Sequence, residues 1–328
     1  MELPPSGEDL VGAEKPFQAA DSLVERPTFP CAHLFQRRED KYELGAPVAA
    51  GIREEIAECL PLFEYRKGNP YTYITTLYFD TKNRDFYRLA ERNYNDNIKI
   101  RVKEYYYASV AASSCAPPRA AAKPGGVDGR EPGEPPAYLT CPQCYVELKQ
   151  SVNGTVLKKR FALLKRDLHL LFGGQDVWPN LVQQSHPSER GPLREIYREL
   201  QRYITLFPVE VTSVVNYRRT VYQKDENDLR VTFDDHLAVY PPRSGLYTEQ
   251  EAFTAEVLGK PIRTSERVIL EIKCPGEYPS WLKKILQAHS SKRLSKFMTS
   301  VRLILGCSPD AQGLERPKEG VHPPPGLS

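Results

Sequence analysis

The 328-residue sequence lacks the short signatures that usually announce a reaction or a compartment. No apolar run reaches the roughly 18 residues that argue for a transmembrane helix, so no membrane segment is expected in this chain. Charge of one sign is not in excess. Against 45 Lys and Arg stand 42 Asp and Glu, a net charge of +3, so no overall field demands nucleic acid or an anionic membrane. Seven cysteines, odd in number and scattered, make a poor disulfide framework and suit a reducing compartment. The opening MELPPSGEDL is acidic and proline-bearing where a signal peptide is basic and then apolar. No G-x-x-x-x-G-K-[ST] loop is present to cradle nucleotide phosphates, and the six histidines form no H-E-x-x-H arrangement. Cys141 and Cys144 form one C-x-x-C pair, but a zinc site needs a second pair or histidines at matching spacing. These absences predict a cytoplasmic protein whose specificity for anions must come from local clustering.

What is present is strand after strand. Segments rich in Pro, Gly, Ala and Ser predict a disordered N-terminal arm over 1–36, an inserted low-complexity loop at about 108–138 and a disordered tail over 306–328. They flank and interrupt one domain, 37–305. Within it KYEL, YITTLYFDT, NIKIRVKEYYY, CYVELKQSV, TVLKKRFAL, PVEVTSVVNYRRTVYQ, LRVTFDDHLAVY and RVILEIKCP carry strand signals. In VNGT, Asn-Gly supplies the positive φ angles of a tight hairpin. Helical periodicity marks PVAAGIREEIAECL, LLKRDLHLLF, PLREIYRELQRYITLF and PSWLKKILQAHS. Without regular βαβ alternation, the class is α+β with a mainly antiparallel sheet.

Several strands alternate in the same sense. In NIKIRVKEY, Ile98, Ile100 and Val102 share one face and Lys99, Arg101 and Lys103 the other. Glu147 and Lys149 oppose Val146 and Leu148; Glu271 and Lys273 oppose Leu270 and Ile272; Arg230, Thr232 and Asp234 oppose Val231 and Phe233. One such strand is an ordinary solvated face. Four in one sheet suggest that amphipathic helices cover the apolar faces from outside. The expected architecture is then a closed antiparallel β-barrel tunnel of about eight strands, with the charged faces lining its lumen. A lumen of Lys and Arg is costly without a counter-ion, and basic groups from many strands suit a linear polyphosphate. Glu147 and Glu271 make poor phosphate ligands but reasonable partners for a divalent metal, Mn2+ or Mg2+, which binds phosphate oxygens on its other side.

The order of these stretches resembles the catalytic tunnel domain of the vacuolar transporter chaperone (VTC) family, polyphosphate polymerases within the CYTH or triphosphate tunnel metalloenzyme superfamily. KYEL followed by a helix and LP, then TTLYFDT, IKIRVKEY, VELKQ, KKRFAL, VNYRRTVY, LRVTFD, LEIK, PSWL and LSKF occur in family order over about 38–304. The resemblance implies phosphate binding by Lys41, Lys99, Arg101, Lys149 and Lys158, with Arg219, Arg230 and Lys296 as further basic tunnel positions. It makes Glu271 the metal-binding carboxylate. Arg293 stands where the family commonly has lysine, which implies a further phosphate contact there, and Lys99 stands where the family often has arginine. Strand alternation puts Arg218 with Asn216 and Thr220, and whether Arg218 or Arg219 faces the lumen is left open. EDKYEL keeps Glu39 and Lys41 of the superfamily's acid–lysine pattern without its full length, so Glu39 is a secondary metal candidate. The family's phosphate-sensing SPX domain and membrane helices have no counterpart in this sequence, and any membrane or regulatory partner protein is unidentified.

The resemblance implies transfer of the γ-phosphoryl group of ATP to a growing inorganic polyphosphate, with Arg101 and Lys149 holding the transferring group. Positioning and charge neutralisation dominate such chemistry. Two rivals remain: a tripolyphosphatase or nucleoside triphosphatase on the same fold, and a non-catalytic polyphosphate-binding module. Nucleic acid is not an expected partner.

Overall fold

The computed structural model describes residues 32–34, 38–108, 138–153, 155–225, 229–243, 246 and 252–306. Apart from Ala108, Tyr138 and Gly306 at their ends, the expected loop and tail lie outside these residues, as does most of the expected arm. All eight strand segments form strands, and three short ones join them. In chain order the strands are β1 (Ala32–Leu34), β2 (Arg38–Leu44), β3 (Thr72–Thr81), β4 (Asn97–Ala108), β5 (Tyr138–Thr140) and β6 (Gln143–Val152). They continue with β7 (Thr155–Leu164), β8 (Val209–Gln223), β9 (Arg230–Tyr240), β10 (Arg263–Ser265) and β11 (Val268–Cys274). β1 falls in the segment assigned to the arm and pairs antiparallel with β7. The helices are α1 (Ala46–Cys59), α2 (Asp85–Arg92), α3 (Leu168–Phe172), α4 (Trp178–Gln184), α5 (Arg190–Leu206), α6 (Ala255–Leu258), α7 (Ser280–Leu286) and α8 (Lys296–Ile304).

One antiparallel sheet runs β1-β7-β6-β4-β3-β8-β9-β11-β2, with β10 on β9 and β5 on β4. Five strands separate β6 from β2 along this path, which in a flat sheet would put them about 29 Å apart. Instead Lys149 of β6 reaches Glu39 of β2 at 3.9 Å. The sheet therefore curls until its charged face turns inward. It does not close into the expected barrel: among the described residues no ladder joins β2 to β6, β7 or β1. At Lys41 the free edge of β2 meets the chain between α7 and α8 and, among the described residues, no further strand. Lys292, in the segment between α7 and α8, donates its backbone N–H to the Lys41 carbonyl at 2.7 Å.

The outer face is apolar, as alternation requires. Ile52 and Ile56 of α1 and Leu282 and Leu286 of α7 pack in one core with Val231, Phe233, Leu270 and Ile272. Ile100, Val102, Leu148 and Val214 form another with Leu168 of α3 and Ile196 and Leu200 of α5. Each such side chain contributes about 1.5–3 kcal/mol on burial, enough for helix packing to bend the sheet around its polar side. α8 departs from the expectation of helices packed only outside. It packs on β8 and α2, and its Lys296, Thr299 and Leu303 line the cavity within the curl. The β6–β7 hairpin turns at Asn153, φ 50°, as Asn-Gly predicts.

Phe233 is fully buried and sits 4.8 Å beneath the Arg53 guanidinium. Phe233→Ala is expected to lower the unfolding free energy by about 3–5 kcal/mol in urea titrations. A loss below about 1 kcal/mol would show that the outer packing does not hold the curl.

Candidate functional site

The curled face encloses a cavity of about 1550 Å³. Lys41, Lys99, Arg101, Lys149, Lys158, Arg219, Arg230, Lys296 and Glu271 all line it. Arg293 does not. It is exposed, with its guanidinium 4.9 Å over the ring of Tyr94, a residue at the cavity rim. The open choice between neighbouring arginines is resolved by strand phase. Arg219 shares the inward face with Tyr217, while Arg218 turns outward to a two-point pair with Asp235 at 2.8 and 3.1 Å. Lys103, Arg160 and Lys273 also line the cavity. Lys103 and Lys273 lie on the charged faces that alternation assigned to the lumen, though neither was given a site role, and one further step from Lys158 finds Arg160.

Strand register stacks the cations in layers. Lys99 pairs with Lys149, which pairs with Lys158; Arg101 pairs with Glu147, which pairs with Arg160; Lys103 pairs with Tyr145. Successive layers are about 6.7 Å apart. The acids among them are already engaged. Glu147, 0% exposed, accepts from Arg101 Nε at 2.7 Å, with Arg101 Nη2 at 2.6 Å from the same oxygen. Lys158 Nζ lies 3.0 Å from its other oxygen, at an angle that leaves that oxygen without a formed hydrogen bond. Asp234, also fully buried, takes two bonds from Arg219 at 2.6 and 2.8 Å and one from Lys296 at 2.6 Å. Glu271 pairs with Lys273, and Glu39 with Lys41 at 2.5 Å. Lys99 and Lys103 have no hydrogen bond or ion pair among the described residues.

This surplus governs protonation. Burial, and then the charges of Lys149 and Arg101, push the Lys99 ammonium down to about 7. Burial takes Lys158 to about 7 despite Glu147, and Lys149 to about 8 despite Glu39. The acids move oppositely. Burial opposes ionisation of Asp234, but Arg219 and Lys296 outweigh it and hold the carboxyl at about 2. Burial likewise works against ionised Glu271, yet Lys273 and Lys41 keep it well below the usual carboxylate range.

Among the described residues, no three His, Cys, Asp or Glu side chains are grouped to hold a metal. Glu147 is a poor metal ligand because it is fully buried, held by Arg101 and Lys158, and not part of the cavity lining. Glu271 is better placed. It faces Lys41 across the β11–β2 ladder, one step from Glu39, and the two carboxylates sense each other's charge. Two carboxylates with phosphate oxygens and water completing the shell fit the hard-cation mode of Mg2+ or Mn2+.

The family model described as VTC domain matches residues 36–113 and 134–305. No curated protein sequence matches the chain. Solved structures with a similar chain path include a Bacillus halodurans protein provisionally named an adenylate cyclase, at 12% identity and TM-score 0.40, covering 80% of this chain and 95% of that one. The PH1819 protein of Pyrococcus horikoshii OT3 is similar at 12% identity and TM-score 0.36, covering 80% of this chain and 97% of its own.

A lysine whose folded value is depressed binds fewer protons folded than unfolded between that value and the ordinary 10.5. The contribution of Lys99 and Lys158 to stability is therefore lowest below about 7, where both are charged, and rises with pH through that window. The melting temperature of the ligand-free protein is expected to rise between about pH 7 and 9, and Lys99→Met to flatten the rise. A parent curve that stays level or falls contradicts the assigned direction.

Proposed function

Because the chain belongs to the VTC domain family, we propose that its cavity binds the triphosphate of ATP together with inorganic polyphosphate and transfers the γ-phosphoryl group to the polyphosphate end. The observation that carries this reading is that Lys99 and Lys103 have no hydrogen bond or ion pair among the described residues, in a cavity whose acids are already engaged. Burial and then neighbouring cations disfavour the charged form of both lysines, and a dense polyanion favours that form at many such groups at once. A single carboxylate ligand would do so at only one or two.

In the proposed step, a terminal phosphate oxygen of the acceptor attacks the γ-phosphorus of ATP. The new P–O bond forms as the bond from the γ-phosphorus to the β–γ bridging oxygen breaks, and ADP leaves with that electron pair. The attacking oxygen is already ionised near neutral pH, so no general base is needed. Arg101 is fixed by Glu147 and presents a rigid planar donor; Lys149, with Glu39 only at 3.9 Å, is free to follow the transferring group. Lys41, Lys99, Lys158 and Arg219 position the flanking phosphates. Glu271 and Glu39 would hold Mg2+ or Mn2+, which when bound offsets phosphate charge. The scattered free cysteines Cys59, Cys141, Cys144 and Cys274 are consistent with activity in the cytoplasm. Among the described residues no helix is long and apolar enough to cross a membrane.

Purified protein incubated with ATP and Mn2+, with and without a short polyphosphate primer, is expected to yield long chains resolved by gel electrophoresis. Orthophosphate alone would instead identify a hydrolase, and unchanged ATP with tight polyphosphate binding a non-catalytic module. Lys149→Met is expected to lower turnover by about 10²–10³-fold, the usual effect of removing one donor to transition-state charge. Glu271→Gln is expected to abolish metal-dependent turnover while leaving the circular dichroism spectrum intact. Undiminished activity in Glu271→Gln removes that residue from the mechanism.

A further inference from the structure

The cavity has two unlike ends. Along β4 the inward residues run Lys99, Arg101, Lys103, Tyr105, Tyr107, so charge gives way to aromatic rings after three layers. Tyr145 of β6 meets Tyr105 edge to face at 5.5 Å, with the Arg160 guanidinium 4.9 Å over its own ring. Tyr65, from the segment between α1 and β3, lies near enough to influence both Tyr105 and Tyr107 electrostatically and accepts a hydrogen bond from Arg230. These tyrosines are only partly buried, and all line the same cavity. At the boundary sits Lys103, 7% exposed, lining the cavity with no hydrogen bond or ion pair among the described residues.

We propose that the tyrosine end is a nucleoside subsite: Tyr105 and Tyr145, with Tyr65 and Tyr107 around them, hold the base of the nucleoside triphosphate, and Lys103 meets the first phosphate. This rests on the phosphate-binding reading of the cavity and adds an orientation to it. Aromatic side chains stack on any base through its π-face, and guanidinium groups such as Arg160 add to such a platform. The three cationic layers from Lys99 to Lys103 span about 13 Å of strand; Tyr145 lies beside Lys103 in the third layer and Tyr105 and Tyr107 follow beyond it, matching the polar-to-aromatic order of a nucleoside triphosphate. A bare polyphosphate has nothing to place on them. With the base at the tyrosine end, the γ-phosphate points toward Lys149 and Lys99. The acceptor then enters from the opposite mouth, beside Tyr94, and donor and acceptor do not compete for one entrance.

The test is binding without turnover, by calorimetry in metal-free buffer, with ATP and inorganic tripolyphosphate as the two probes. The parent protein is expected to bind ATP more tightly than tripolyphosphate. Tyr105→Leu is expected to weaken ATP by about tenfold, the scale of one stacked base, and leave tripolyphosphate unchanged. Tyr105→Phe, which keeps the ring, should retain the ATP preference. Should Tyr105→Leu fail to fold, Tyr145→Leu and the parent's own ATP-to-tripolyphosphate ratio decide the matter. Equal affinity of the parent for both probes, or equal weakening of both by the leucine variants, overturns the subsite while leaving the phosphate reading standing. Binding of neither probe overturns that reading and the subsite with it.

Discussion

The organising constraint is a set of cations that the chain's own acids do not neutralise. Glu147, Asp234, Glu271 and Glu39 are each held by at least one Lys or Arg, and Glu147, Asp234 and Glu39 by more than one. They anchor the basic groups in place without cancelling them. Arg101 and Arg219 are thereby pre-oriented, while Lys99 and Lys103 have no ion pair among the described residues and their charged form is disfavoured. The same imbalance depresses the lysines and secures the ionised carboxylates. Anchored arginines give geometry, and unanswered lysines give appetite for a polyanion.

The fold sustains this imbalance by separating two chemistries across one sheet. Strand alternation sends Ile100, Leu148, Phe233 and Leu270 outward to helices, and their counterparts one residue away inward to the cavity. Apolar burial is what bends the sheet, so the cost of gathering like charge is offset on the opposite face of the same strands. Hydrogen-bonded closure is unnecessary. The α7–α8 connection covers the edge of β2, and α8 delivers Lys296 to Asp234 from the concave side. Ser295 caps that helix by accepting the Met298 N–H, which sets Lys296 at its first turn.

Ring and charge are unevenly distributed along the cavity axis. On β4 basic residues occupy the layers of Lys99, Arg101 and Lys103 and tyrosines the next ones, with Tyr145 of β6 beside Lys103. A cavity with unlike ends imposes a direction on an elongated ligand, which a uniformly basic one does not. For transfer between two phosphate chains this asymmetry is consequential, since donor and acceptor are chemically alike except where the donor carries its nucleoside.

Much of the site is legible in the strand pattern. Period-two alternation alone identifies the inward faces of β4, β6, β9 and β11, because side-chain direction in a strand is a local property of the backbone. Those faces already include Lys103 and Lys273, and the same logic carried two residues beyond Lys158 reaches Arg160. The sequence by itself determined which residues share a face and that the face is basic. It did not determine which carboxylates are consumed as anchors: Glu147 and Glu271 look alike on their strands, yet only Glu271 has a second acid, Glu39, on the adjoining strand. Nor did it reveal that α8 would enter the concave side or that the sheet would stop short of closure. Those outcomes depend on contacts between β2, β6, β9 and the α7–α8 segment, which are distant along the chain and meet only when the sheet curls.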